Sequence, residues 1–152
     1  MAADHFAYPP LAPSLTVHDA AAAIEFYRHA FAAVERYRLL DPQTGKIGHA
    51  ELEILGSLVM LADEYPQFNQ SPQTLGGTSM RLALMVDDVD VWIARAERCG
   101  ATVVIPAADM FYGFRAGRVR DPFGHEWMIQ REIERVSPEE MQRRWNEMVQ
   151  TS

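Results

Sequence analysis

The chain has a single cysteine, Cys99, among its 152 residues. One cysteine cannot form a disulfide within the chain, and a lone thiol suits a reducing compartment. We therefore expect a cytoplasmic protein.

Long apolar segments and an excess of basic residues are also missing. No run approaches the length of a membrane span, and the first residues lack the charged-then-apolar pattern of a signal peptide. The chain has 14 Lys and Arg against 21 Asp and Glu, a net charge of -7. Binding to a phosphate backbone relies on clustered Lys and Arg. We therefore expect neither a nucleic acid nor a membrane as a partner.

What is present is the composition of an ordinary globular domain with an internal repeat. Val17-His18-Asp19 and Val86-Asp87-Asp88 each end a strand and open a helix, 69 residues apart. Gly56 and Gly124 turn the last hairpin of each half, 68 residues apart. Each half reads strand, helix, strand, strand, strand, and such units usually pair because neither buries its faces alone.

The repeat predicts an α+β fold in which tandem βαβββ units share one curved mixed sheet, with helices on its convex face and a cleft inside. A capping box with Pro at the first helical position, Ser137-Pro138-Glu139-Glu140, opens a final helix. We expect one domain over 1–152, comprising repeat one at 11–63, a linker at 64–78, repeat two at 79–132 and the C-terminal helix at 137–149.

The last hairpin indicates which side chains reach the cleft. In GRVRDPFGHEWMIQ, Trp127 and Ile129 share one face of a strand, while Glu126 and Met128 share the other. The apolar face packs on helices, so the second face lines the cleft. The same alternation sends His49 and Glu51 of the first half to the cleft side, away from their apolar neighbours.

The paired layout, with LTVHDAAAAIEFYRHAF in the first half and DPFGHEW in the second, resembles the vicinal-oxygen-chelate superfamily of glyoxalases, extradiol dioxygenases and bleomycin-resistance proteins. The pieces GKIGHAELEILGSLVMLADE, SPQTLGG and SPEEMQRRW are similar to its PhnB-like branch. The resemblance covers nearly the whole chain after residue 10. It indicates the fold more closely than the chemistry, because one fold hosts many reactions.

The resemblance also implies where a metal would sit. Metal-dependent members place His, Glu or Gln ligands on the first and last strand of each repeat. Counting from the strand ends and the turn glycines puts these positions at Ala12, Met60, Arg81 and Met128. None is a ligand for a hard metal, and Arg81 would repel a cation. We therefore expect no metal and no other cofactor.

The remaining cleft positions mix aromatic, thioether and charged groups, which suits a flat organic ligand with one polar end. Some of these residues have a plainer interpretation. The methionines could be simple packing, and Arg118 could pair with an acidic side chain instead of clamping an anion. The predicted ligand-binding residues are Met60, Arg81, Phe111, Tyr112, Arg118 and Met128.

Three functions stay open, and whether the chain is an enzyme is one of the open points. The favoured hypothesis is a small-molecule-binding protein that lacks the usual metal ligands and sequesters a flat organic ligand. The alternative is a glyoxalase- or dioxygenase-like enzyme, metal-dependent or acid–base, that uses His49, Glu51 and Glu126. His49 and Glu51 could equally be an ion-paired sheet surface. The third is an interaction module whose cleft completes a dimer, and we expect a homodimer in any case.

Overall fold

A computed structural model describes residues 7–152, and the chain divides into two compact units that meet at Gly77 and Thr78. The first unit contains one four-stranded sheet in the order β1-β4-β3-β2. Its elements are β1 (Ser14–Val17), α1 (Ala20–Phe31), β2 (Val34–Leu40), β3 (Ile47–Ile54), β4 (Ser57–Asp63) and the short helix α2 (Pro72–Leu75).

The second unit repeats this plan and adds the C-terminal helix. Its sheet has the order β5-β8-β7-β6. The predicted tandem βαβββ architecture with a final helix is therefore confirmed, as two four-stranded mixed sheets, one in each unit. The elements are β5 (Arg81–Met85), α3 (Val89–Arg98), β6 (Thr102–Asp109), β7 (Phe114–Arg120), β8 (Glu126–Glu132) and α4 (Pro138–Gln150).

Both sheets have the same mixed pairing. The first strand of each unit runs parallel to the last, β1 beside β4 and β5 beside β8, and the other neighbours are antiparallel. A parallel pair needs a long crossover connection. In each unit the polypeptide between the paired strands supplies that connection, and it includes α1 in the first unit and α3 in the second. None of the helices in residues 7–152 has the length and apolarity that a membrane crossing requires.

The helices begin where the sequence predicts and bury their apolar stripes. Asp19 caps α1 by accepting a hydrogen bond from the backbone N–H of Ala22 at 3.0 Å, and Asp88 caps α3 in the same way. In α1, Tyr27 and Phe31 are completely buried. In α3, Ile93 lies so close to β7 that a Cβ at Gly117 would come within 2.4 Å of its Cδ1. Only glycine at position 117 allows this helix to pack on its sheet.

The strand register confirms the internal repeat. Ser14 is the partner of Met60 in the first unit, and Ala83 is the partner of Met128 in the second. These two pairs are 69 and 68 residues apart, the spacing that the sequence predicts. Ala12 lies two residues before Ser14, and Arg81 lies two residues before Ala83. The two halves therefore align in sequence as expected.

Three local features complete the two units. The segment 64–78, predicted as a linker, contains α2, whose N-cap Ser71 is buried. Strand β6 runs through Pro106 to Asp109, with irregular pairing on the way. Strand β1 begins at Ser14, because Pro13 has no N–H with which to continue the ladder.

The turn before β8 is organised by the buried carboxylate of Asp121. Its Oδ1 accepts hydrogen bonds from the backbone N–H groups of Phe123 at 2.9 Å and His125 at 3.0 Å. Its Oδ2 accepts from the indole Nε1 of Trp127 at 2.9 Å. One side chain therefore closes the turn and orients the largest fully buried residue of the second unit.

We predict that Asp121→Asn destabilises the protein by on the order of 2 kcal/mol, because an amide N–H would then face the indole N–H of Trp127 and leave a buried donor unpaired. Urea denaturation monitored by tryptophan fluorescence measures the change. Asp109→Asn is the matched control, since the Asp109 side chain is 65% exposed and pairs only at the surface with Arg115. Equal stabilities for the two variants would contradict the role given to Asp121.

Candidate functional site

The Glu51 carboxylate is the buried polar centre of the first unit. Glu51 lies on β3 between Ala50 and Leu52, which are fully buried, so its side chain points to the opposite sheet face. Its side chain is nevertheless only 3% exposed. A carboxylate so buried must accept hydrogen bonds or remain costly to the fold.

Three side chains meet that requirement. Glu51 Oε1 accepts hydrogen bonds from the Tyr37 hydroxyl at 2.9 Å and from the Tyr8 hydroxyl at 3.0 Å. His49 Nε2 lies 3.4 Å from the same oxygen, and Tyr8 also lies 3.2 Å from Oε2. The structure therefore brings together the predicted pair His49 and Glu51. It adds two tyrosines that the sequence did not indicate as site residues.

A β-bulge in β2 explains why Tyr37 and Arg36 both reach this carboxylate. Glu35 pairs with Leu52 and Tyr37 pairs with Glu51, so Arg36 is the extra residue that shifts the register between them. A bulge of this kind redirects side chains on the bulged strand. Arg36 Nη1 lies 4.0 Å from Glu51 Oε2, and Nη2 lies 3.3 Å from Glu53 Oε2.

The hydrogen bonds decide the protonation of the cluster. Burial raises the pKa of Glu51, but the hydrogen bonds from Tyr37, His49 and Tyr8 outweigh it, so the pKa lies below its ordinary value. The hydrogen bond to Glu51 raises the pKa of Tyr37 to about 12. Glu51 is therefore a stably ionised acceptor, and a carboxylate with a lowered pKa is a weaker base.

The second unit has a small hollow on β7 and β8 that brings together three of the predicted ligand-binding residues, Tyr112, Arg118 and Met128. Its volume is about 60 Å³. That is room for one or two waters, or for one small polar group of a ligand, because a water takes about 30 Å³. The other lining residues are Ile105, Met110, Ala116 and Gly117.

Charge at this hollow is concentrated on three side chains. Glu126 is shared by two arginines, with Arg120 Nη2 at 3.0 Å from Oε1 and Arg118 Nη1 at 3.7 Å from Oε2. The Nε of Arg118 is buried and has no hydrogen-bond acceptor among residues 7–152. The expected pairing of Arg118 with an acidic side chain is thus present, but it leaves one N–H of the guanidinium unused.

The remaining predicted residues occupy different surroundings. Phe111 packs edge-on against Tyr112, with 5.2 Å between ring centroids, and against Trp145 of α4 at 5.6 Å. Arg81 is exposed and stands opposite Glu126 in the β5–β8 pairing. Met60 is partly exposed, opposite Glu51 in the β3–β4 pairing.

The proposed trio of His49, Glu51 and Glu126 is divided between the two units, since the first two lie on β3 and Glu126 lies on β8. That these three side chains act together in catalysis stays a prediction. In the described part of the chain, no three His, Cys, Asp or Glu side chains are grouped so that they could hold a metal ion.

We predict that Glu51→Gln lowers the free energy of unfolding at pH 7 by on the order of 1–3 kcal/mol, the cost of weakening a buried hydrogen-bonded charge. Because folding lowers the pKa of Glu51, the ionised carboxylate stabilises the folded protein fully at pH values above the ordinary glutamate pKa. That stabilisation is lost as the pH falls through the folded-state pKa. The difference in the free energy of unfolding between wild type and Glu51→Gln should therefore become smaller from pH 7 to pH 4, as measured by urea titrations. Glu25→Gln on the exposed face of α1 is the control, and a gap that widens with acid would contradict the assignment.

The fold and its sequence have known relatives. Residues 2–129 match the family model described as the Glyoxalase/Bleomycin resistance protein/Dioxygenase superfamily. The uncharacterized protein Rv0887c of Mycobacterium tuberculosis is 46% identical over 138 residues, which cover 88% of this chain and 81% of that protein.

Two crystal structures have similar folds. TioX from Micromonospora sp. ML1 is 30% identical with a TM-score of 0.63, over 80% of this chain and 97% of TioX. The Arabidopsis thaliana At5g48480 gene product has a TM-score of 0.66 and 27% identity, over 81% of this chain and 98% of its own. Together with the family match over most of the chain, these likenesses show that the protein belongs to the glyoxalase/bleomycin resistance protein/dioxygenase superfamily.

Proposed function

We propose that this protein binds a small organic anion on the β7–β8 face of its second unit, and that it does so without the metal of its metal-dependent relatives. The proposal includes membership of the PhnB-like branch. Binding of this kind would let the protein sequester a flat ligand, as a resistance-type protein does.

The residues at the metal positions support binding without a metal. A methyl group, two thioethers and a guanidinium occupy the places where the superfamily's metal enzymes carry nitrogen or oxygen donors: Ala12, Met60, Met128 and Arg81. Hard and borderline cations prefer oxygen and imidazole ligands, and a guanidinium repels them. These side chains therefore do not fit a metal of that kind.

The observation that supports the proposal most is the buried Nε of Arg118, which has no hydrogen-bond acceptor among the described residues. A buried guanidinium N–H without an acceptor is costly, and natural proteins seldom leave one without a reason. Arg118 lines the hollow and its side chain is 24% exposed, so a ligand carboxylate there would meet the guanidinium and accept a charge-assisted hydrogen bond from it. The hollow admits only the polar end of such a ligand, so the rest of the molecule would lie outside it.

Side chains in and beside the hollow suit the flat remainder of the ligand. Tyr112 lies beside Phe114, with ring centroids 5.8 Å apart, and Met128 and Met110 add polarisable thioethers. Aromatic and thioether groups bind flat rings through area and dispersion. An aromatic carboxylate is therefore the ligand class that this face fits best.

The enzyme alternative has less support from the geometry. His49 and Glu51 are adjacent, but the lowered pKa of Glu51 makes its carboxylate a weak base at neutral pH. Glu126 is already engaged in ion pairs with two arginines, Arg120 and Arg118.

The predicted homodimer and cytoplasmic location belong to the same proposal. Trp145, Met148 and Val149 of α4 are about half exposed, an apolar set that a second copy would cover. The lone Cys99 and the net charge of -7 agree with the cytoplasm.

We predict that Arg118→Met weakens the binding of 1-naphthoate by about tenfold or more, since hydrogen bonds to charged groups contribute about 1.5–3 kcal/mol. Isothermal titration calorimetry measures the affinity. Arg98→Met on the exposed side of α3 should bind as wild type does, and neutral 1-naphthalenemethanol should bind both variants equally. Undiminished naphthoate binding by Arg118→Met would refute the role of this arginine.

We also predict that protein purified without chelators contains well under one equivalent of Zn, Ni, Mn or Fe, because the side chains at the metal positions do not donate to such ions. Elemental analysis by mass spectrometry is the measurement, together with naphthoate titration before and after chelator treatment. One tightly held equivalent, or binding that chelators abolish, would overturn the metal-free proposal.

A further inference from the structure

We propose a second, independent site: the Glu51 carboxylate of the first unit binds neutral aromatic hydroxyl compounds, and the phenol of Tyr8 occupies that site as an intramolecular substitute. The site is separate in residues and in charge from the anion site on β7 and β8. A failed test of this second site would leave the proposed anion site standing, and the reverse also holds.

Tyr8 is held at the site mainly by its hydroxyl. The hydroxyl lies 3.0 Å and 3.2 Å from the two oxygens of Glu51, while 61% of the residue is exposed. A ring with so much exposure gains little from packing, so the charge-assisted hydrogen bond is its principal attachment. An attachment of that kind can be exchanged for an equivalent hydrogen bond from another phenol.

The segment that carries Tyr8 is built to detach without disturbing the sheet. It contains Pro9, Pro10 and Pro13, which have no backbone N–H and so cannot extend the β1 ladder as donors. The carbonyl of Pro13 accepts a hydrogen bond from the backbone N–H of Met60 at 3.0 Å, which fixes the chain where β1 is about to begin. The segment 7–12 can therefore move about Pro13 while β1 stays paired with β4.

The space beside this segment has the size of a ligand pocket. A hollow of about 520 Å³ is lined by Tyr8, Leu11, Pro13, Arg36 and Leu58, among others. Ligand sites commonly enclose about 300–1,000 Å³ between apolar walls with a few polar groups. Tyr8 and Arg36 line this hollow and also contact Glu51, so the hollow lies next to the carboxylate.

The charges of the cluster select a neutral hydroxyl donor. Ionised Glu51 can only accept hydrogen bonds, and Tyr37 and His49 already approach one of its oxygens. Glu53, which pairs with Arg36, adds a second negative charge nearby. Arg36 pairs with both carboxylates, so selectivity comes from the hydrogen bond: a ligand carboxylate has no proton to donate to Glu51, whereas a phenol donates one without bringing charge. The phenol of Tyr8 shows the geometry that such a ligand would adopt.

The test compares p-cresol, which reproduces the tyrosine side chain, in wild type and Tyr8→Phe protein. Removing the competing hydroxyl should tighten p-cresol binding by about tenfold or more, because a tethered group competes at an effective concentration in the millimolar range. Ligand-observed NMR and calorimetry give the affinities. Tyr65→Phe is the matched control, since Tyr65 also donates to a carboxylate, that of Asp41 at 3.2 Å, in the same unit.

Toluene and benzoate complete the design. Toluene lacks the hydroxyl and benzoate carries a negative charge, so neither should gain affinity in Tyr8→Phe. In wild type, p-cresol but not toluene should shift the amide NMR signals of Leu11 and Ala12, because the displaced segment loses its attachment. Equal p-cresol affinity in wild type and Tyr8→Phe, or unchanged signals of these amides, would overturn the proposal.

Discussion

The parallel pairing of the first strand with the last is the constraint on which each unit depends. It places β4 and β8 inside their sheets, and it requires the intervening chain to cross over with a helix. The register of this pairing puts Met60 beside Ser14 and Met128 beside Ala83. A slip by one residue would turn every side chain of the last strand to the other face. Which residues share a face of each sheet therefore depends on that register.

The same frame carries opposite charges in the two units. Glu51 stands opposite Met60, and Arg118 stands opposite Met128, so the two residues hold equivalent positions in their sheets. Glu51 accepts hydrogen bonds from side chains of its own unit, and Arg118 keeps a buried N–H without a hydrogen-bond acceptor in the described residues. One architecture thus carries a carboxylate in one unit and a guanidinium at the equivalent position of the other. The two proposed ligand classes, a neutral hydroxyl compound and an anion, follow from that difference.

Much of the fold was predictable because its signals are local. Asp19 and Asp88 mark helix starts through their own hydrogen bonds, and the spacing of strand ends and turn glycines reveals the repeat. Alternation placed His49 and Glu51 on one face correctly. The contact of Phe111 with Trp145 of α4 could not be predicted, because nothing local in the sequence indicates where a distant helix will lie, and the role of Phe111 at a ligand site stays a prediction.

The sequence by itself determined the family architecture, since the repeat follows from residue identity and spacing. Tertiary structure alone decided the chemistry of the two faces. The bulge at Arg36 turns Tyr37 toward Glu51, and Tyr8 joins that carboxylate from 43 residues away. Hydrogen bonds between such distant residues depend on backbone paths in three dimensions, and spacing along the chain does not encode them.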